Sequence, residues 1–569
     1  MSTTPPLVPS YWEDLTVVDL IEYGAKKYDG SAVRYHDEEI SFEELERRCR
    51  TVADGLRARG VRPGDRVAVL VEDRPEWLYS VFGTAFAGAV PVFLSTGYSV
   101  RELSHAIDIT GASVLIAQDE TGHGPLLTKY GRLFLEEPDV VSEATLDVDD
   151  SIADALTTVV EVDPTVERSG TIGFDTLLDE GREAKGVPSA VRSNIVPDDR
   201  AAILFTSGTT SLPKAAVRTH RNLLAHAVDM GNWYDRSSGD ELLDLFPNPS
   251  ITATNQLLMS LAHGCRYELL DHYDPDLAVE RMAERDLNWI AGVDTMFKDL
   301  LEADLDAIDF GAVDRVALAL VGGIDPDLAA DVEETFGAPI ENPYGMTETN
   351  AFLLRSRAEH PFDVRLHPGG QPGYKTGVKV DIETEDADGA DDEPIEDPDA
   401  EGALHVGELR VKGITVTPGY YNNERATEVA FDRNGWLHTD DVATLGEREF
   451  GYTFHFSGRL DDMFQVGGNN VAPAEVESCI AEREDVSWAG VVGIPHDRLG
   501  SVPAAFITIE DGYTVAPETV TEYCGERLAS YKVPRTVFVI DPEEIPLKEG
   551  VNGKKLRRDR LREIAVERK

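Results

Sequence analysis

AAILFTSGTTSLPK, Ala201 to Lys214, is an apolar run that breaks into a polar loop. Ala201 to Leu204 reads as a buried strand. Beyond Phe205 come four hydroxyls (Thr206, Ser207, Thr209, Thr210), a glycine able to turn sharply (Gly208), a proline (Pro213) and one ammonium (Lys214). Amides, hydroxyl donors and a cation gathered at a strand end form an anion cradle. The loop is not of the Walker type, which needs glycine where Pro213 stands and a hydroxyl where Ala215 stands. Taken alone, the segment also fits a polar surface turn. Its neighbourhood has to decide.

The same grammar of strand, turn and helix extends on both sides. Upstream, Ser41 followed by Glu44 forms a capping box, after which Leu45, Cys49, Val52 and Leu56 share one helical face until Gly60. Arg66 to Val71 follows as a buried strand. Downstream, Arg315 to Val321 is a strand, Gly322 and Gly323 a turn, Asp325 an N-cap and Pro326 the first helical position. Leu328, Val332 and Phe336 line that helix, and Gly337 ends it. The repetition predicts an α/β fold: a large amino-terminal domain of mixed, largely parallel sheets flanked by helices. Two stretches interrupt it. Gln118 to Glu183 is acidic and weakly periodic, and reads as a surface embellishment; Glu383 to Gly402 reads as a solvated acidic loop. After Asp461 the chain becomes a compact α+β unit, with a helix near Ala474–Ala481, strands at Gly490–Ile494 and Ala504–Ile509, a helix ending near Leu528 and a basic terminal helix. The expected domains are 1–460 and 461–569.

Composition narrows the class. The chain has 569 residues and 42% hydrophobic content, enough for more than one buried core. It carries 53 Lys+Arg against 105 Asp+Glu, a formal charge of −52. Such a surface repels nucleic acid and anionic lipid. The acid is spread along the whole chain and Arg outnumbers Lys, which resembles proteins of extreme halophiles; molar salt screens charge over about 3 Å. Four scattered cysteines without a CxxC pair suggest neither zinc nor a disulfide framework. MSTTPPLVPSYWEDL has neither a basic start nor an apolar core, and Val81–Leu94 is too short to span a bilayer. The expectation is a soluble cytoplasmic protein; a homodimer is compatible with it.

Four further segments carry chemistry. Asn342 to Thr349 (NPYGMTET) brings an aromatic, a glycine, a hydroxyl and a carboxylate together. Gly435 to Asp441 (GWLHTDD) ends in a carboxylate that could accept both hydroxyls of a ribose. Ser457 to Asp462 (SGRLDD) precedes Gly467-Gly468-Asn469-Asn470, and Val551 to Arg558 (VNGKKLRR) is basic. Singly, each also fits a turn, a surface acid or a solvated basic helix. Together and in this order they resemble the acyl-adenylate-forming superfamily of acyl-CoA synthetases, luciferases and peptide-synthetase adenylation domains. The resemblance spans nearly the whole chain, including GELRVKGITVTPGYYNN (Gly407 to Asn423), VVGIPHDRLG (Val491 to Gly500) and YKVPR (Tyr531 to Arg535). The run Gly458 to Glu477 is most similar to the fatty-acyl and aryl-acyl CoA ligase branches.

The resemblance implies an enzyme that joins a carboxylic acid to the α-phosphate of ATP and passes the acyl group to a thiol. It implies that Thr206, Ser207, Gly208, Thr209, Thr210 and Lys214 hold the β- and γ-phosphates, and that Glu348 supplies a magnesium ligand. That ion takes few carboxylates and keeps phosphate oxygens and water. Thr347 would touch the α-phosphate, Tyr344 would stack on adenine with Gly322 and Gly323 on the other face, and Asp441 would grip the ribose with Arg459 beside it. Lys554 matches the catalytic lysine, which offsets the repulsion between carboxylate and phosphate. Asp461 matches the hinge of a mobile carboxyl-terminal domain, and Gly467-Gly468 would line the thiol tunnel.

Several positions depart from the family pattern. Ser211 and Ala215 replace glycines, Asp440 replaces the glycine before the ribose aspartate, and Gln465 stands where many members carry lysine. Phe246 to Ser250 lacks the usual aromatic or histidine, and also the acid that pairs with an amino-acid substrate. Pocket candidates are Trp233, Ser250, Ile251, Gln256, Gly322, Met346 and Asn350, a mixture suiting a fatty or aromatic acid. No carrier domain follows Lys569, so CoA is the simplest acceptor, with Arg535, Arg557 and Arg558 as candidates for its phosphates. The alternatives are a ligase that loads a separate carrier protein and a non-catalytic paralogue; Lys554, Glu348 and Asp441 together argue against the second.

Overall fold

The computed structural model describes residues 7, 9–121, 124–126, 156–164, 168, 170–184, 195–206, 212–320, 324–381, 405–448, 451–459, 462–466, 469–471, 473–496, 498–510, 512–528, 530–550 and 553–568. Arg200–Phe205 is a strand whose last five residues are all buried. It lies parallel to Val90–Phe93 and antiparallel to Ala215–Thr219. Among the described residues its sheet has seven strands, ordered Ala215–Thr219, Arg200–Phe205, Val90–Phe93, Arg66–Leu70, Val114–Gln118, Thr158–Val162 and Thr171–Gly173. Only the Ala215–Thr219 edge runs antiparallel. Near-continuous apolar runs such as Val67–Val71 are what a sheet covered on both faces demands.

Among the described residues a second seven-stranded sheet runs Ile340–Glu341, Arg315–Ala319, Trp289–Val293, Glu241–Asp244, Arg266–Leu269, Ser31–Tyr35 and Glu38–Ser41, parallel except for the last hairpin. The two sheets are tied where strands end: the backbone N–H of Asn248, just past Glu241–Asp244, donates to both oxygens of Asp73, which follows Arg66–Leu70 (2.9 and 3.0 Å). Helices cover the faces as the sequence grammar requires. Asp325 caps Pro326–Phe336 by accepting from the Leu328 N–H, and Gly337 ends it at φ 64°. The expected architecture is borne out.

Two local expectations are corrected. Ser41 does cap Phe42–Ala58 by accepting from the Glu44 N–H (3.1 Å), but no reciprocal bond completes a box; the Glu44 carboxylate accepts from Arg47 and Arg48 instead. The stretch 118–183 is not merely an embellishment. Thr158–Val162 and Thr171–Gly173 extend the sheet, and helix Phe174–Glu183 packs on Phe42–Ala58. A side chain at Gly181 would lie 2.0 Å from the Thr51 carbonyl oxygen, so the helices approach at glycine. Part of that stretch lies outside the described residues, as does the acidic run 383–402.

Among the described residues a third, antiparallel sheet of six strands follows: Leu354–Arg355, Gly369–Pro372, Gly451–Arg459, Leu437–Arg448, His405–Gly413 and Thr376–Asp381. The carboxyl-terminal unit has its own core, including Val491, Ile494, Phe506, Val520 and Leu561. There Val486–His496 pairs antiparallel with Gly500–Ile509, and Thr536–Val539 joins the latter in parallel. Helices Pro473–Ala481, Pro517–Arg527 and Arg558–Arg568 surround them. The expected domain boundary at 460/461 falls outside the described residues. Among the described residues, no helix is long and apolar enough to cross a membrane.

Candidate active site

The polar loop leaves the carboxyl end of Arg200–Phe205, where open α/β sheets bind ligands. Its neck is closed by the Thr206 N–H donating to the Lys214 carbonyl (3.0 Å) and the Lys214 N–H donating to Thr206 Oγ1 (3.4 Å). Ser207, Gly208, Thr209 and Thr210 lie outside the described residues. Lys214 is exposed, with Nζ 5.0 Å from the centroid of the Tyr420 ring. Tyr420 arrives on a segment that lines the sheet edge: the Val217 N–H donates to Gly419 O (3.1 Å) and the Tyr421 N–H to Ala215 O (2.8 Å).

Glu348 sits at the centre of the one-turn 3-10 helix Thr347–Thr349 and is 5% exposed. The Tyr420 hydroxyl donates to its Oε1 (2.7 Å), and the Thr417 N–H donates to its carbonyl (2.8 Å). Burial, then the Glu348 carboxylate, pushes the Tyr420 phenol above its ordinary range, so Tyr420 is held as a donor. Behind this group lies Arg218, fully buried; burial pulls its guanidinium down to about 10, opposed chiefly by the charge of Glu348. Lys214, Tyr420 and Glu348 thus meet beside the polar loop. Among the described residues, no cluster of three metal-ligating side chains exists. A buried carboxylate with one oxygen held by a phenol fits a hard ion completed by phosphate oxygens and water.

The same segment also reaches the antiparallel sheet. Tyr344 is buried, and its hydroxyl donates to Asp441 Oδ2 (2.6 Å), 97 residues away. Asp441 is 3% exposed and pairs directly across the sheet from Arg459. Its own N–H donates to Thr439 Oγ1 (3.1 Å). Phe456 stacks on the Tyr344 ring at 5.7 Å and 22°. Gly322 and Gly323 lie outside the described residues. Asp440, where the resemblance has glycine, is exposed at φ 57°.

The pocket candidates separate. Ser250 caps Ile251–His263 through its Oγ, Ile251 is buried in the core, and Gln256 Oε1 accepts from the Trp289 indole (2.6 Å). The neighbouring Asn255 donates to the Asn350 carbonyl, which joins this helix to the Glu348 turn. Met346 and Asn350 flank that turn, yet the Asn350 carboxamide is committed to Arg218 (2.9 Å) and to the Asn222 carbonyl (2.9 Å). Trp233 stands apart: its N–H donates to Ser356 O (3.1 Å), and Arg357 and Arg355 lie 4.1 and 5.0 Å from its ring. In the carboxyl-terminal unit, Lys554 lies on Gly553–Leu556, opposite Glu549 of Leu547–Gly550. Arg558, offered for CoA, bonds Glu477 (2.9 Å) and Val491 O (3.0 Å) and pairs with Asp462 (3.3 Å). Arg535 and Arg557 are exposed. Asp461 and Gly467-Gly468 lie outside the described residues.

Residues 21–421 match the family model described as AMP-binding enzyme, and residues 475–552 match its C-terminal domain. The chain belongs to the AMP-binding enzyme family. A feruloyl-CoA synthase from Amycolatopsis sp is 30% identical over 518 residues, 90% of this chain and 92% of that protein. A 2-succinylbenzoate–CoA ligase from Bacillus cereus is 29% identical over 541 residues, 95% of this chain and 96% of that one. The structure of ATP-bound MatB from Rhodopseudomonas palustris matches with a TM-score of 0.76 at 25% identity, covering 97% of this chain and 99% of that chain.

Reading motifs one by one missed two residues of this AMP-binding enzyme. Tyr420 stood inside a quoted motif without a role, because only the fold brings its hydroxyl to Glu348. Arg218 had a signal: it is the one charge in Ala215–Thr219, a buried run beside the polar loop.

Proposed function

We propose that this AMP-binding enzyme is an AMP-forming acid–CoA ligase: it activates a fatty or aromatic carboxylic acid as the acyl-adenylate, releases pyrophosphate, and transfers the acyl group to CoA. ATP, magnesium and CoA serve the reaction. The observation that carries the reading is the segment Tyr344–Glu348, which connects a carboxylate at the phosphate loop with a tyrosine bonded to Asp441.

Each residue has work that its chemistry suits. Lys214 and the loop amides neutralise the β- and γ-phosphates. Glu348 would hold the magnesium ion, which when bound draws charge from the phosphate oxygens, and Thr347 would touch the α-phosphate. Asp441 receives ribose hydroxyls, kept in place by Tyr344 and Thr439. Lys554 approaches on its hairpin and bridges the two anions, a compact ammonium suiting that role better than a planar guanidinium. Asp461 is the proposed hinge of a mobile 461–569 unit, and the cytoplasm the proposed compartment.

The test is AMP release in molar KCl with ATP, magnesium, CoA and a panel of fatty and aromatic acids. CoA-dependent AMP formation ranked by acid is expected. Adenylate that accumulates and is indifferent to CoA would move the assignment to carrier loading. Lys554→Ala should cut pyrophosphate exchange by at least ~10²-fold; full-speed exchange would remove the lysine from its role.

A further inference from the structure

Glu348 is followed by backbone that L-residues avoid. Asn350, Ala351 and Phe352 have φ of 68°, 50° and 34°, three successive residues in left-handed conformation. Asparagine visits that region readily; alanine and phenylalanine do not. The turn folds back so closely that a side chain at Gly345 would lie 2.5 Å from the Ala351 carbonyl carbon. The Ala351 N–H donates to Met346 O (3.0 Å), and Phe352 is buried in the core near Trp289.

Strained backbone persists only where its surroundings over-determine it, and it concentrates where a site needs fixed geometry. Here the clamp centres on Asn350, which is fully buried. Its Oδ1 accepts from Arg218 Nη1 (2.9 Å), its Nδ2 donates to Asn222 O (2.9 Å), and its carbonyl accepts from Asn255 Nδ2. Arg218 Nη1 also donates to Thr415 O (3.1 Å), while Nε and Nη2 have no partner among the described residues. A fully buried, half-satisfied guanidinium is costly. Beyond the turn, the charge of the Glu348 carboxylate offsets part of that cost.

We propose that Arg218 is a positioning residue: through Asn350 it holds the left-handed turn 350–352, and the turn fixes the carboxylate of Glu348 and the hydroxyl of Thr347 toward the metal-bound phosphates of ATP. This rests on the reading of Glu348 as the magnesium ligand, and the experiment separates the two. Outer-shell partners of a metal ligand commonly change metal affinity ~10- to 100-fold.

Mn2+ is titrated by electron paramagnetic resonance into protein holding α,β-methylene-ATP in molar KCl, with melting temperatures measured in parallel. Arg218→Met should raise the Mn2+ half-saturation at least about 10-fold. Asn350→Gly, which tolerates the same φ but removes the carboxamide, should do likewise. Arg218→Lys keeps the charge without the fork and should fall between. If Arg218→Met does not fold, Asn350→Gly decides. Lower melting with wild-type Mn2+ half-saturation in Asn350→Gly or Arg218→Met makes the clamp purely structural and overturns the proposal. Glu348→Gln with wild-type Mn2+ half-saturation would instead overturn the magnesium reading, whatever the other variants do.

Discussion

Asp440 shows how a departure from a motif becomes a measurable quantity. Its φ of 57° places an L-residue where glycine is at ease, directly before the ribose-binding candidate Asp441. Ala351 stands in the same region at φ 50°. Asp440→Gly and Ala351→Gly should therefore each stabilise the protein, Ala351 by about 1 kcal/mol and Asp440 by less, because aspartate bears αL better than alanine. Thermal melting at fixed salt checks this; a lower melting temperature for Ala351→Gly would show that its methyl packs more usefully than its backbone is strained. At this scale the sequence was least readable. Nothing in NPYGMTET shows that the Tyr344 ring faces Phe456 and that its hydroxyl bonds Asp441, since both partners come from distant strands.

Elements were legible wherever their signals were local. Asp325, Pro326, the apolar spacing to Phe336 and Gly337 each mark one feature of a single helix, and all agree with it. Thr158–Val162 escaped because five residues carrying a glutamate look solvent-bound; Glu161 is in fact buried against Arg168 (2.8 Å), a pairing that spacing cannot disclose. The candidate site stood in the sequence as five motifs in order, whereas the 3-10 turn at Glu348 and its clamp were not legible, because positive φ at Asn350–Phe352 is imposed by packing. The carboxyl-terminal unit carries the element-scale prediction. It has a separate core, and Arg558, just past the Lys554 hairpin, is fastened to Asp462 and Glu477. Freezing the proposed hinge with Asp461→Pro should leave pyrophosphate exchange within about threefold of wild type while thioester formation falls at least ~10²-fold. Equal loss of both half-reactions would count against a hinge at that residue.

For the whole molecule, charge dominates. With −52 formal charges, self-repulsion grows as salt is withdrawn and the screening length rises from about 3 Å at 1 M to about 30 Å at 0.01 M. Circular dichroism followed from molar KCl into dilute buffer should show loss of structure; an unchanged spectrum would refute the halophile-like reading. Buried acids set the pH response. Burial pushes Asp244 and Glu341 up to about 7. Groups whose pKa is raised on folding contribute stability that is complete below the unfolded value near 4 and is lost as pH climbs through 7. At constant molar salt the melting temperature should fall between pH 5 and 8, at up to about 1 kcal/mol per pH unit for each group; a rise would contradict the sign. One arrangement links stability to turnover. The segment that seals the margin of the Ala215–Thr219 sheet is the one that delivers Tyr420 to Glu348. Peeling that rim would silence the enzyme before the rest of the body melts, so activity on warming should vanish at a lower temperature than bulk ellipticity.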